Sequence, residues 1–261
     1  MTVLHRKLET AFFGSHGQVP LDNLRATIKA GNLKALIVDV DGTLNRQGPV
    51  RCAMFWRLLC AHLGNPAGAL STVRLLRAYR TAQESLRGLP LIDGDLATVQ
   101  LRLACKCANV KPEVVTSTVV RWMEREPLRF LSRSLRDGVM EFLKAAVDQG
   151  LRLGVVSDYP AVAKLQAMGM AHFFDVIVTA QDPEVQAFKP NPRGLKVALE
   201  RLGVTKHEAV YIGDRPDVDV STASSAGLAC VIMGRRNVVD RRGWIEISSY
   251  RDLLEVICYR R

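Results

Sequence analysis

The stretch that most constrains this chain runs from Leu33 to Leu44. A short apolar block, Ala35-Leu36-Ile37-Val38, passes directly into Asp39, Asp41, Gly42 and Thr43. An apolar run of strand length suits a strand buried on both faces of a parallel sheet. Such a strand delivers Asp39 and Asp41 at its carboxyl end, the edge where open α/β sheets bind ligands. A buried strand ending in a solvated acidic turn is the plainer alternative, and the rest of the chain has to decide between them.

From Asp137 onward helices and apolar runs alternate. A helix over about Gly138 to Gln149 is expected to precede a strand from Leu151 to Val156. Another helix starts near Pro160, with a strand from Asp175 to Thr179. A helix from Pro192 to Leu202 leads to a strand from Ala209 to Ile212. A further helix precedes a strand from Leu228 to Met233, and an amphipathic tail follows around Tyr250 to Ile257. Strands alternating with helices of this length call for a parallel sheet with helices on both faces.

Between the first strand and this series the pattern is helical. Phe55, Leu58, Leu59 and Leu63 share one helical stripe, as do Leu96, Val99, Leu103 and Cys107, and again Val115, Val119 and Trp122. Breakers at Gly64-Asn65-Pro66, Gly88-Leu89-Pro90, Pro112 and Pro127 separate the segments. The expected class is therefore α/β, a Rossmann-like, doubly wound parallel sheet core with an inserted all-helical domain. The expected division is a lead-in over residues 1–32, a core over 33–48 and 137–261, and a helical insert over 49–136. In the lead-in, Gly14, Gly17 and Pro20 mark a loop before a helix around Leu21 to Ala30.

Composition narrows the function classes. No run approaches the ~18 apolar residues of a membrane span, and the first residues lack the apolar segment of a secretory signal. A cytoplasmic protein with no membrane partner is expected. The six cysteines are scattered, and Cys105-Lys106-Cys107 lacks the spacing of a zinc knuckle, so reduced structural thiols are expected. The formal charge is +10. Arginines recur at Arg74, Arg77 and Arg80, and in pairs at Arg235-Arg236, Arg241-Arg242 and Arg260-Arg261, but no aromatic side chains interleave with them. That weighs against nucleic acid as a partner.

Each expected strand ends in polar groups that a parallel sheet would gather at one edge: Asp39 and Asp41, then Ser157 and Asp158, then Gly213 and Asp214 with Asp217 and Asp219 beyond. Lys189 lies between the third and fourth strands. It precedes Pro190, which biases its backbone toward extended geometry, and Asn191 and Pro192 are suited to starting the next helix. Several carboxylates at one site repel one another unless a hard cation neutralises them, and oxygen ligands from Asp39 and Asp214 suit Mg²⁺. The Lys189 ammonium and the Ser157 hydroxyl would complete a cradle for a phosphoryl group. One aspartate can then attack phosphorus while a second manages the proton of the leaving group.

With these residues in order, the chain resembles the haloacid dehalogenase superfamily of phosphohydrolases. Asp39-Val40-Asp41-Gly42-Thr43-Leu44 is similar to its first motif, Ser157 to its second, Lys189-Pro190 to its third, and Gly213-Asp214-Arg215-Pro216-Asp217-Val218-Asp219 to its fourth. The resemblance implies Asp39 as nucleophile and Asp41 as general acid and base. It implies Mg²⁺ held by Asp39, the Asp41 backbone carbonyl and Asp214, with Asp219 supporting the metal's waters or Lys189. Thr43 and Ser157 would position the phosphoryl group, and the helical insert would be a cap over the site. Asn45 departs from the apolar or aromatic residue common at its place, at the mouth of the site.

An intact Asp41 favours hydrolysis of a small phosphorylated metabolite, with phosphomutase as the neighbouring reaction. The third reading is an inactive domain that binds anionic partners through its arginines. Arg46, Arg51, Arg57, Arg74 and Arg77 are the candidates for reading the substrate. The oligomeric state has no signature in the sequence.

Overall fold

A computed structural model describes residues 32–89, 94–234, 238–239 and 244–258. The lead-in expected over residues 1–32 lies outside them except for Asn32, as do the arginine pairs at 235–236, 241–242 and 260–261.

Seven strands form one sheet: β1 (Ala35–Val38), β2 (Arg152–Ser157), β3 (Val176–Thr179), β4 (Ala209–Gly213), β5 (Ala229–Met233), β6 (Val238–Val239) and β7 (Ile245–Ile247). Their spatial order is β3-β2-β1-β4-β5-β7-β6, parallel throughout except for the antiparallel β6–β7 pair. The β6–β7 ribbon was not expected from the sequence; its strands are two and three residues long, too short to show a period. β1 lies between β2 and β4, with Ile37 opposite Gly154 on one side and Tyr211 on the other.

Side chains alternate across a strand, and β1 divides accordingly. Leu36 and Val38 join a core with Leu153, Val155, Val210 and Ile212, covered by helices α6 (Val139–Asp148), α7 (Val162–Ala167) and α10 (Tyr250–Cys258). Phe142 of α6 and Tyr250 of α10 pack there with ring centroids 5.0 Å apart. Ala35 and Ile37 join the opposite core with Val156, Tyr211 and Ile232, covered by α8 (Arg193–Leu202) and α9 (Ser221–Ala226). The apolar run of β1 is continuous because both of its faces are covered. The sheet is doubly wound, as expected.

Between β1 and α6 the insert folds as α1 (Gln47–Ala61), α2 (Pro66–Leu86), α3 (Leu96–Ala108), α4 (Pro112–Val119), which runs on into a π turn at Val120–Arg125, and the short α5 (Leu128–Leu131). Its starts are locally encoded: the Asn65 side chain accepts from Gly68 N at 2.8 Å and that of Asp95 from Thr98 N at 3.0 Å. Leu75, Tyr79, Ala82, Ala104, Val115 and Val119 form a core of its own. A second cluster joins insert to sheet through Leu86 and Leu96 against Ala180 and Phe188.

The stripe expected on α1 behaves differently. α1 buries none of its residues, and Phe55, Leu59 and Leu63 are exposed. Its apolar side chains, including Met54, Trp56 and Leu58, lie all around the helix, so one face cannot bury them. Cys107, placed on the α3 stripe, is also exposed, while Val115 and Trp122 are buried as expected. Cys52, Cys60, Cys105, Cys107 and Cys230 are free thiols, and no helix among the described residues is long and apolar enough to cross a membrane.

Candidate active site

The parallel ladder carries Asp39 to the sheet edge: its N–H donates to the Ile212 carbonyl at 2.9 Å, one step beyond the last β1 pair. At the same edge β2 ends on Ser157 and β4 on Gly213, followed by Asp214. Lys189 reaches in from the loop after β3. Its Nζ lies 2.7 Å from Asp39 Oδ1, 2.8 Å from Asp219 Oδ1 and 3.0 Å from the Tyr211 hydroxyl. Lys189, Asp39 and Asp219 are all buried, so this ammonium exchanges its hydration for two carboxylates and a phenol.

The turn after Asp39 is held by its own residues. Gly42 has φ +93°, and a Cβ there would lie 2.0 Å from Asp214 Oδ2, so only glycine lets that carboxylate approach. The Asn45 side chain accepts from Gly42 N at 3.2 Å, while Arg136 Nε donates to Gly42 O at 2.7 Å and its Nη2 to Met233 O at 3.1 Å. Asn45 is buried; the polar residue that departs from the family pattern serves the turn. Thr43, also buried, donates to Asp39 Oδ2 at 3.4 Å and is not among the residues lining the crevice, whereas Ser157 lines it. Asp41 turns the other way, more exposed and ion-paired with Lys164 of α7. The two aspartates of the first motif thus have different surroundings.

Burial pushes Asp39 up to about 8; Lys189 opposes this, and Asp219 and Asp214 add to it. Burial likewise raises Asp214 to about 6, helped by Asp219. Burial also acts upward on Asp219, but the Lys189 ammonium and hydrogen bonds from Lys189, Arg215 N–H and Tyr211 hold it below the ordinary carboxylate range. Lys189, for which burial works in the opposite direction, is carried well above its ordinary value by Asp219 and Asp39.

One oxygen from each of Asp39, Asp214 and Asp219 lies within 4.8 Å of the others. Asp219 is fully engaged: Oδ1 accepts from Lys189 and Tyr211, and Oδ2 from Asp214 N at 3.1 Å and Arg215 N at 2.9 Å. Among the described residues the Asp214 carboxylate has no hydrogen bond or ion pair. A half-buried carboxylate without a partner, beside a second one pushed upward, is a donor set that fits a hard divalent cation. Asp214 is free to hold it, with Asp39 able to offer its Oδ2, which has only the long Thr43 hydrogen bond, and Asp219 is committed to Lys189 and the loop.

Several contributors were not recognised in the sequence. Asp158, noted only as the neighbour of Ser157, receives Lys189 N on Oδ1 at 3.1 Å, and its Oδ2 accepts from Arg87 at 2.8 Å and Gln83 at 3.2 Å. Arg87, just past α2, also donates to the Lys189 carbonyl. The lysine peptide is therefore bracketed, its N–H by the core and its C=O by the insert. Tyr211 had a signal, since a phenol within a buried strand needs a polar partner. Lys164, Arg87 and Arg136 had none. Of the arginines considered for substrate, Arg57 is paired with Glu126 at 3.0 Å, Arg51 and Arg77 line the crevice, and Arg46 and Arg74 are exposed outside its lining.

A family model described as haloacid dehalogenase-like hydrolase matches residues 33–227. The chain is 32% identical over 160 residues to a glyceraldehyde 3-phosphate phosphatase of Methanopyrus kandleri, which covers 58% of this chain and 66% of that protein. It is 33% identical over 126 residues to the pyrophosphatase PpaX of Bacillus pumilus, covering 46% and 57%. The chain thus spans less than two thirds of the length of either. Over 217 residues it is 30% identical to a phosphoglycolate phosphatase of Rhodospirillum rubrum, covering 77% of this chain and 79% of that one. The crystal structure of a HAD phosphatase from Thermococcus onnurineus shares the fold, with a TM-score of 0.58 at 24% identity over 86% of this chain and 98% of that one.

Proposed function

The chain belongs to the haloacid dehalogenase-like hydrolases, and on that premise we propose that it is a Mg²⁺-dependent phosphatase of a small phosphorylated metabolite, acting through an aspartyl-phosphate. The observation that carries this is the contact of one buried ammonium, Lys189 Nζ, with Asp39 and Asp219, beside the unpartnered Asp214.

In this reading Lys189 holds Asp39 by Oδ1 and leaves the second oxygen to attack phosphorus. The Lys189 ammonium and the Ser157 hydroxyl bind the equatorial oxygens of the phosphoryl group as the bond to the leaving group breaks. Asp41, exposed to the crevice, gives a proton to the departing alkoxide and takes one from the water that then attacks phosphorus. Lys164 keeps its carboxylate at the rim. Mg²⁺ held by Asp39, the Asp41 carbonyl and Asp214 would neutralise charge between carboxylate and phosphate. The insert, standing over the crevice, acts as the cap that selects the leaving group.

Phosphate release from a generic aryl phosphate and a panel of phosphorylated metabolites, with Mg²⁺ or a chelator, tests the proposal. Release that needs Mg²⁺ and disappears in Asp39→Asn is expected. No Mg²⁺-dependent release, or full activity in that variant, would refute it. Transfer of the phosphate to another hydroxyl of the same sugar would instead identify a phosphomutase, and salt-sensitive nucleic-acid binding without hydrolysis would favour an inactive anion-binding domain.

A further inference from the structure

The crevice between insert and sheet edge is a cavity of about 540 Å³, within the size range of small-molecule sites. Its floor is the polar edge described above. Its upper wall is largely apolar, with Met54 and Leu58 of α1, Leu76 of α2 and Trp122 of the π turn. A phosphoryl group needs only the floor, so the wall faces whatever the phosphate is attached to.

Arg77 and Arg80 stand one turn apart on the face of α2 that lines this cavity. The other arginines of the lining are engaged: Arg51 by the Gln47 side chain, Arg87 by Asp158, Arg215 by Asp217. Among the described residues, Arg77 and Arg80 make no ion pair or hydrogen bond. Glu124, also in the lining, is not ion-paired with either, so the upper cavity keeps an excess of positive charge. Arg87 fixes the end of α2 against the Lys189 carbonyl. At 1.5 Å per residue, Arg80 is then about 10 Å farther along the helix from the reacting edge.

We infer that the substrate is a phosphate monoester whose leaving group combines a ring-sized apolar body with a second anionic group. That group is held between the side chains of Arg77 and Arg80, whose backbones lie about 15 and 10 Å along the helix from Arg87. The inference rests on the phosphatase reading and differs from the glyceraldehyde 3-phosphate and phosphoglycolate named for two of its relatives.

Three esters of primary alcohols test it with the full chain and Mg²⁺: phosphoglycolate, benzyl phosphate and 4-carboxybenzyl phosphate. The carboxylated benzyl ester is expected to show the highest kcat/KM, about tenfold above benzyl phosphate, the scale of one charge-assisted hydrogen bond. In Arg77→Ala/Arg80→Ala, with folding checked by circular dichroism, that ratio is expected to fall to about one, and in Glu124→Gln to rise. Phosphoglycolate as the best of the three, or a ratio that survives the double substitution, overturns the inference. If none of the three is hydrolysed, the aryl phosphate and metabolite panel decide the phosphatase reading, and calorimetric titration of the same compounds judges the cavity by itself. Tightest binding of the carboxylated benzyl ester, lost in the double variant, then supports the anion site, and equal affinities reject it.

Discussion

The sheet edge and the insert above it are built in opposite ways. At the edge, buried charge is committed: Lys189, Asp39, Asp219 and Tyr211 satisfy one another within hydrogen-bond distance, and the turn around Gly42 is held from both sides. In the insert, α1 buries no residue, Leu63 just beyond it is 84% exposed, and two arginines on α2 line the cavity without an ion pair among the described residues. Groups proposed to carry out the chemistry are fixed by the sheet, whereas those proposed to meet the variable part of a substrate sit on helices with little else to hold them. The contrast predicts where substitution is costly.

Lys189→Ala should have the largest effect. It leaves Asp39 and Asp219 buried without their cation, and loss of one partner of a buried pair costs about 3–5 kcal/mol. Urea unfolding should show that loss, and phosphatase activity should vanish; a variant of near wild-type stability would mean that the edge is no better packed than the insert.

Next comes the pairing of pH and metal. Asp39 and Asp214 are raised to about 8 and 6 in the folded chain, so the folded state binds more protons than the unfolded one across that interval. Stability without metal is therefore full below the ordinary carboxylate range and lost as pH rises toward 8. Mg²⁺ should reverse this, by about 2.7 kcal/mol at a hundredfold excess over Kd. A thermal melt at pH 8 should shift upward with Mg²⁺ by more than one at pH 5. Equal shifts would break the assignment of the cation to these carboxylates.

Arg87→Ala removes the polar link between the two regions and leaves the Leu86 and Leu96 contacts with Ala180 and Phe188 in place. Removing one member of this partly buried cluster should cost about 1–3 kcal/mol, and kcat should fall more than KM rises because the Lys189 carbonyl loses its donor. At the low end, Leu59→Lys on the exposed face of α1 should change stability by no more than about 0.5 kcal/mol. A larger loss there, read from the same urea titration, would show that the exposed face of α1 is covered by something in solution.

The five long strands and the four loops at their ends were legible because a strand buried on both faces leaves a continuous apolar run with polar residues where it stops. Strand limits fell within one residue or so, as for Ala209 to Gly213 against the expected Ala209 to Ile212. The helix starting at Arg193 donates its first backbone N–H to the Asn191 side chain at 3.0 Å, although Pro192, placed in the first turn from the sequence, is itself the cap residue. What escaped notice were contacts made across long sequence distance by residue types common on surfaces. Lys164 meets Asp41 from 123 positions away, Arg87 meets Lys189 from 102 and Arg136 meets Gly42 from 94. A lysine or arginine on a helix carries no local mark of such a partner. On α1 the hydrophobic period was present without burial, since a period reports which residues could share a face and not whether a neighbour covers it.

The chain leaves and re-enters the sheet at nearly the same point. Asn45 pairs antiparallel with Leu135, Arg46 N donates to Ser134 O at 2.7 Å, and Arg136 N to Leu44 O at 3.0 Å. This short stem closes the whole insert as a loop. Loop closure entropy grows only with the logarithm of length, about 0.6 kcal/mol for each doubling, so an insert of five helices costs the sheet only about 2.5 kcal/mol more than a loop of a few residues. The molecule is in this sense a fixed socket with an exchangeable head: on the proposed function, the head could change what is admitted without refolding the sheet beneath it.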